Sequence, residues 1–217
     1  MQKHFQIVLV FIAASIACVA MAENLIIGDF SSGDMMGWDE QVFSDQATQY
    51  ELVQLNDQKV VRAISKNSAS SLARKIHVDL LQYPYLNWRW RIEDTLDIKD
   101  EKIKSGDDYA ARIYVIVSGG LLFWRTKAIS YVWTNGSLKG EVWPNAFIGE
   151  KAMMLTVRSK EDKTGKWYLE KRNVFEDLKR IYGTEIRYID AVAIMTDSDN
   201  SNGQVTAYYG DINFTSE

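Results

Sequence analysis

The sequence is poor in the side chains that build metal and nucleophilic centres: 217 residues hold one cysteine, Cys18, and two histidines, His4 and His77. Zinc sites assembled from several His or Cys are therefore excluded by count. Proline is also scarce, at two residues, and neither a Pro-rich linker nor an internal repeat divides the chain. There is no basic run longer than a few residues, and the formal net charge is −4. Nucleic-acid binding, which depends on Lys and Arg neutralising phosphates, is disfavoured. Nucleotide chemistry has no support either, because no P-loop and no strand-linked G-x-G-x-x-G is present. No G-x-S-x-G elbow accompanies His77, which alternates with Ile76 and Val78 on the side of Lys75 and Asp79. It reads as a surface histidine rather than the base of a triad.

The one long apolar run, Phe5 to Val19, follows Lys3 and His4 and ends at Ala20-Met21-Ala22. A short basic start, an apolar stretch and a small-x-small end are the parts of an export signal, so residues 1–22 are expected to be cleaved before Glu23. At roughly 15 residues the run is short for the ~20 that a spanning helix needs. Lipoprotein processing at Cys18 is the alternative, with Ser15 standing where a lipobox has an aliphatic residue. Cleavage after Ala22 removes the only thiol, leaving no internal disulfide and no thiolate metal site. Residues 23–217 are then expected to form a single periplasmic or secreted domain with no membrane span after cleavage.

Most of that segment reads as short alternating stretches divided by polar turns, which predicts about ten strands. They fall at 25–30, 49–54, 60–65, 72–78, 85–93, 109–118, 128–133, 153–159, 186–196 and 205–214, with Asn56-Asp57 as a hairpin signal. Seven Trp and eleven Tyr suit a sandwich core or a ring-walled ligand face. The fold class expected is all-β, a jelly-roll-like β-sandwich. One helix interrupts it near 174–182, capped by Asn173, with Glu176 three residues on, Val174, Leu178, Ile181 and Tyr182 on one side, and Gly183 at its end. The densely charged stretch from Asp97 to Asp108 is expected to be an exposed loop.

Tyr85-Leu86-Asn87-Trp88-Arg89-Trp90-Arg91-Ile92 carries the sharpest signal. Alternation buries Leu86, Trp88, Trp90 and Ile92 and turns Arg89 and Arg91 to the reverse face, where fixed guanidinium donors need partners. Arg112 and Tyr114 share a face of a second strand that begins beside Asp108, and Asp211 shares a face with Ala207 and Tyr209. If these strands neighbour one another, Arg89, Arg91, Arg112, Asp108, Tyr114 and Asp211 form a charged, ring-walled groove suited to sugar hydroxyls or an anionic group. The alternative is a structural ion-pair network. In Thr196-Asp197-Ser198-Asp199-Asn200-Ser201-Asn202-Gly203, Asp197 and Asp199 alternate as in a calcium loop, but the glycine comes late and the closing glutamate is missing. A polar hairpin connection explains the same residues.

Four blocks together resemble one exported bacterial family. They are Leu86 to Ile92, Gly106 to Val115, Ile194 to Asn200 and Ala207 to Ile212. The family is the one catalogued as domain of unknown function three thousand and forty-seven. The resemblance implies a galactose-binding-like β-sandwich similar to non-catalytic carbohydrate-binding modules, and it carries no catalytic residues. It also implies a structural calcium where first and last strands meet, for which Asp29 and Asp211 are the nearest candidates. No other cofactor is expected. The reading is of a non-catalytic domain that binds a glycan or cell-envelope component. Its rivals are a polysaccharide hydrolase using carboxylates such as Asp108 and Asp211, and an accessory protein that docks onto an envelope complex.

Overall fold

The structure, a computed structural model, describes residues 23–122 and 125–217. The expected signal peptide, residues 1–22, lies outside the described residues. Thirteen strands form two sheets that pack face to face with one short helix, an all-β sandwich. The six-stranded sheet runs β11 (Tyr168–Asn173), β6 (Tyr85–Ile92), β13 (Gln204–Thr215), β4 (Gln58–Lys66), β3 (Gln49–Leu55), with β1 (Asn24–Gly28) also paired to β13. The seven-stranded sheet runs β2 (Trp38–Val42), β5 (Ala69–Asp79), β12 (Tyr188–Asp197), β7 (Ala111–Val117), β8 (Lys127–Trp133), β10 (Gly149–Arg158), β9 (Val142–Asn145). All pairings are antiparallel except β8 with β10.

The core lies between the sheets and is built by the predicted alternation. Leu86, Trp88, Trp90 and Ile92 of β6 meet Ile129, Tyr131 and Trp133 of β8 in one cluster. The rings interlock edge to face or tilted: Trp88 with Trp90 at 5.4 Å, Trp88 with Tyr131 at 5.4 Å, Trp90 with Trp133 at 5.8 Å. Such pairs add about 0.5–1.5 kcal/mol each beyond the area they bury. Two of the indole N–H groups find acceptors, Trp90 in Glu170 and Trp133 in the Ser159 carbonyl. Tyr209 ties the sheets together from β13, its hydroxyl donating to the Met195 carbonyl of β12 at 2.7 Å.

The helix, α1 (Val174–Tyr182), has the expected caps. The Asn173 side chain accepts from the Glu176 amide, and Gly183 closes the helix at φ 66°. It bridges the sheets: Asp177 accepts from the Tyr131 hydroxyl of β8 and from Arg172 of β11, and the Tyr182 hydroxyl donates to the Ala128 carbonyl.

Three strands were not expected, and all three are sheet edges: β2, β9 and β11. Trp38-Asp39-Glu40-Gln41-Val42 and Tyr168-Leu169-Glu170-Lys171-Arg172-Asn173 are too polar to show a buried face, and β9 contains Pro144. Charge and proline are what keep an exposed edge from pairing with another chain, and they mask the strand in the sequence. The Asp97–Asp108 segment is exposed through most of Asp97–Ser105, as expected, but not throughout. Glu101, Asp107 and Asp108 are buried, because Glu101 accepts the Gly136 and Ser137 amides and Asp108 accepts those of Asn200 and Ser201.

Candidate functional site

The outer face of the seven-stranded sheet is hollow, and strand register explains why. One cross-strand row reads Asp39, Ala73, Ala193, Tyr114, Ser130, Met154 from β2 to β10. The next reads Gln41, Ser71, Met195, Arg112, Val132, and another Lys75, Ala191, Ile116, Ala128, Ala152. Alanine and serine therefore occupy the middle of the floor where β5 and β12 pair, and larger residues rise on either side. The result is a groove of about 810 Å³, within the ~300–1,000 Å³ range typical of small-molecule sites. Phe43 and Phe147 line it and stay about half exposed, at 60% and 53%.

One end of the groove is densely polar. Arg112 is only 3% exposed, stacks on the rings of Tyr109 and Tyr114, and pairs through one terminal nitrogen with Asp197. Its Nε and Nη1 have no partner. Burial works against the guanidinium charge, but Asp197, Tyr114, Asp107 and Tyr109 together outweigh it and hold Arg112 more basic than usual. Burial pushes the Asp197 carboxyl upward, yet both of its partners, Arg112 and the Tyr109 amide, are donors, so the pair is held as ions. Asp107 is 4% exposed; its Oδ2 accepts from Asn145 at 2.7 Å, its Oδ1 has no partner, and burial raises its pKa. Burial and the Asp108 carboxylate raise that of Asp199 as well.

The opposite end is simpler. Asp190 accepts the Ser118 amide at 2.8 Å and contacts His77 Nδ1 at 3.1 Å. His77 stacks on Tyr188 at the surface, as its sequence position predicts.

The residues expected to make one groove are divided between the two sheets. Arg112, Tyr114 and Asp108 belong to the hollow face or its end, while Arg89, Arg91 and Asp211 belong to the six-stranded sheet. Arg89 lies 4.8 Å over the Trp167 ring, and Arg91 lies over Tyr208 and pairs with Glu93 at 2.8 Å. Asp211 does not share a face with Tyr209. The pairing of β13 with β6 shifts between Tyr209 and Ile212, a bulge that reverses the alternation and buries Ile212 and Phe214 instead. Asp211 accepts the Ser31 amide at 2.8 Å, so it does not stand across a cleft from Asp108.

Among the described residues one acidic group has metal-holding geometry: single carboxylate oxygens of Asp108, Asp197 and Asp199 lie within 4.8 Å of one another. It contains the two aspartates singled out in the acidic turn and adds Asp108; neither Asp29 nor Asp211 belongs to it. The groove residues missed from the sequence are Asp107, Asn145, Phe43, Phe147 and the small floor. The available signal was Ala69-x-Ser71-x-Ala73 and Ala191-x-Ala193, small residues in strand alternation opposite an apolar face.

The sandwich is similar to solved carbohydrate-binding modules. The family 11 carbohydrate-binding module of the cellulosomal cellulase Lic26A-Cel5E of Clostridium thermocellum superposes with a TM-score of 0.50 at 8% identity, covering 90% of this chain and 95% of that one. The Clostridium thermocellum family 11 module in complex with a β-1,3-1,4-mixed-linked tetrasaccharide gives 0.49 at 9% identity, over 90% and 96%. The xyloglucanase domain of NopAA, a type three effector from Sinorhizobium fredii, in complex with cellobiose, gives 0.46 at 14%, over 83% and 93%. No curated protein matches the chain, and no helix among the described residues is long and apolar enough to cross a membrane. A family model matches residues 36–213, and the chain accordingly belongs to the family described as Protein of unknown function (DUF3047).

Proposed function

We propose that this protein is an exported, non-catalytic binding domain that holds a glycan or similar polyhydroxylated envelope component in the groove of the seven-stranded sheet. One observation carries the reading. Two buried N–H groups of Arg112 and a buried oxygen of Asp107, all without partners, belong to residues lining the same end of the groove. Unpaired buried polar groups are costly, and a hydroxyl, which donates and accepts at once, satisfies both kinds. Tyr114 and the half-exposed Phe43 and Phe147 supply apolar surface for the faces of sugar rings. The fold is one that the family 11 module uses to bind carbohydrate, which agrees with the reading.

The bound ligand keeps its bonds in this account. Asp197 already accepts from Arg112 and the Tyr109 amide, and Asp108 from Asn200 and Ser201; neither is left free as an acid or base. These standing donors compete with a calcium ion for the oxygens of Asp197 and Asp108. The test is calorimetric titration of residues 23–217 with soluble oligosaccharides, followed by an assay for new reducing ends. Saturable binding with no new ends is expected. Release of reducing ends would make the protein an enzyme, and absence of binding across neutral and charged oligosaccharides would remove the groove's role.

A further inference from the structure

The charge at the Arg112 end of the groove is out of balance: Asp107, Asp108, Asp197 and Asp199 stand there against a single guanidinium. Two of these acids are occupied. Asp197 holds Arg112 and the Tyr109 amide, and Asp108 holds the Asn200 and Ser201 amides. The other two are less filled, Asp107 accepting only through Oδ2, from the Asn145 side chain at 2.7 Å. Asp199 receives one long bond, 3.3 Å, from the Asn200 side chain, and Asp107 Oδ1 receives none although the residue is buried. Beside them Arg112 Nε and Nη1 are buried without partners.

A ligand that satisfies this end must bring a cation with N–H donors and, next to it, an oxygen that accepts. A sugar with hydroxyls alone provides donors and acceptors but leaves the acids uncompensated. A uronate provides acceptors with the wrong charge, and a bare divalent ion has nothing for the guanidinium. An ammonium adjacent to a hydroxyl, as on a 2-amino-2-deoxyhexose, provides both. An N-acetyl group removes the charge and two of the three donors.

We propose that the Arg112 end of the groove selects a free-amine amino sugar, its ammonium against Asp107 and Asp199 and its neighbouring hydroxyl accepting from Arg112. This rests on the groove being a glycan site and names which glycan. Asp107 is buried and Asp199 partly covered, and an ion pair shielded from water is weakly screened, which strengthens the selection.

The experiment compares four oligosaccharides of equal length on residues 23–217 by calorimetry, at a pH where the amine is protonated: glucosamine, N-acetylglucosamine, glucose and uronate oligomers. Glucosamine oligomers are expected to bind at least tenfold more tightly than either neutral series, with no measurable uronate binding. Asp107→Asn and, separately, Asp199→Asn should each abolish the preference for glucosamine over neutral oligomers, and Asp199→Asn, which alters no group assigned to neutral sugars, should leave neutral binding within about threefold. Thermal melts identify a variant that fails to fold, and the wild-type ranking decides the matter without either. Equal affinity for glucosamine and glucose oligomers, or a preference for uronate, overturns the amine selection and leaves the glycan site standing. Binding to none of the four overturns both.

Discussion

Arg91 and Arg112 each stand on the side of a strand turned away from the core, one in each sheet, and their surroundings differ in one respect. On the six-stranded sheet the residues next to Arg91 are themselves long: its cross-strand row continues through Tyr208, Arg62 and Glu51. These side chains lie over one another, with Arg91 on Tyr208 and Arg62 paired to Glu51. On the seven-stranded sheet Arg112 is two positions from a row that passes through Ala73 and Ala193. The same alternation thus gives a paved face in one sheet and a groove in the other. Side-chain size on the outer face, rather than charge, decides which face is hollow, and Arg112 is buried while Arg91 is only partly covered.

The largest expected effect on binding comes from filling the hollow. Ala193→Trp places an indole on the groove floor, and oligosaccharide affinity should fall by roughly 100-fold, about 2.7 kcal/mol, in the same titration that defines wild-type binding. Arg89→Ala combined with Arg91→Ala should leave affinity within twofold. The opposite pattern would move the binding surface to the paved face. Next is the energetic contrast between the two arginines. Arg112→Met leaves Asp197 buried without its cation and should cost about 3–5 kcal/mol in denaturant unfolding, with much of that recovered when Asp197→Leu is added. Arg91→Met disturbs a partly exposed pair with Glu93 and should cost under about 1 kcal/mol.

A smaller effect probes what holds the paved face flat. Arg89 stands opposite the bulge in β13, and its stem lies where Gly210 has no side chain: a Cβ there would meet Arg89 Cγ at 2.5 Å and Nε at 2.2 Å. Gly210→Ala must push Arg89 off Trp167 and should cost roughly 1–2 kcal/mol. Because the clash is with that one side chain, Arg89→Ala should remove most of the cost, and the double-mutant cycle measures the coupling directly. Equal destabilisation with and without Arg89 would place the strain in the backbone instead.

How far the sequence foretold this molecule follows from what alternation can and cannot carry. The core strands β6, β7 and β8 and the helix with its Asn173 and Gly183 caps were legible because burial and capping leave a local pattern. Edge strands were not, since Pro144 and the charges of β11 serve to discourage pairing. The site was half legible. Arg112, Tyr114, Asp108, Asp197 and Asp199 do gather at one end of the seven-stranded sheet. Arg89, Arg91 and Asp211 were grouped with them only because sequence shows which face a residue takes and not which sheet its strand joins. Asp211 was further misplaced by a bulge, which reverses alternation without a reliable local mark. The groove itself depends on alanines, whose meaning appears only when the rows of neighbouring strands are set side by side.

The smallest effect expected lies at the seam between the two sheets, where acids are paired but not sealed as Asp197 is. Arg158 of β10 bonds Glu170 of β11 at 2.6 Å and Asp162 at 3.1 Å, while Lys139 reaches Asp162 at 2.9 Å. Burial acts to raise the Asp162 carboxyl, but Lys139, the Ser159 amide and Arg158 prevail and hold it below the usual carboxylate range. The unfolded chain, with Asp near ~3.9, then binds a proton more readily than the folded one. The contribution of Asp162 to stability is accordingly present above that value and lost as pH falls through the lower folded pKa. Asp162→Asn should cost under about 1 kcal/mol at neutral pH, because Lys139 is exposed and screened. It should also flatten the acid limb of stability against pH below about 4. Raising salt should shrink the difference between wild type and this variant while leaving the Arg112→Met penalty nearly unchanged, since the Debye length of ~3 Å at 1 M acts on charges that water can reach. If salt weakened both alike, Arg112 would be open to solvent and the groove would lack the sealed end on which its selectivity depends.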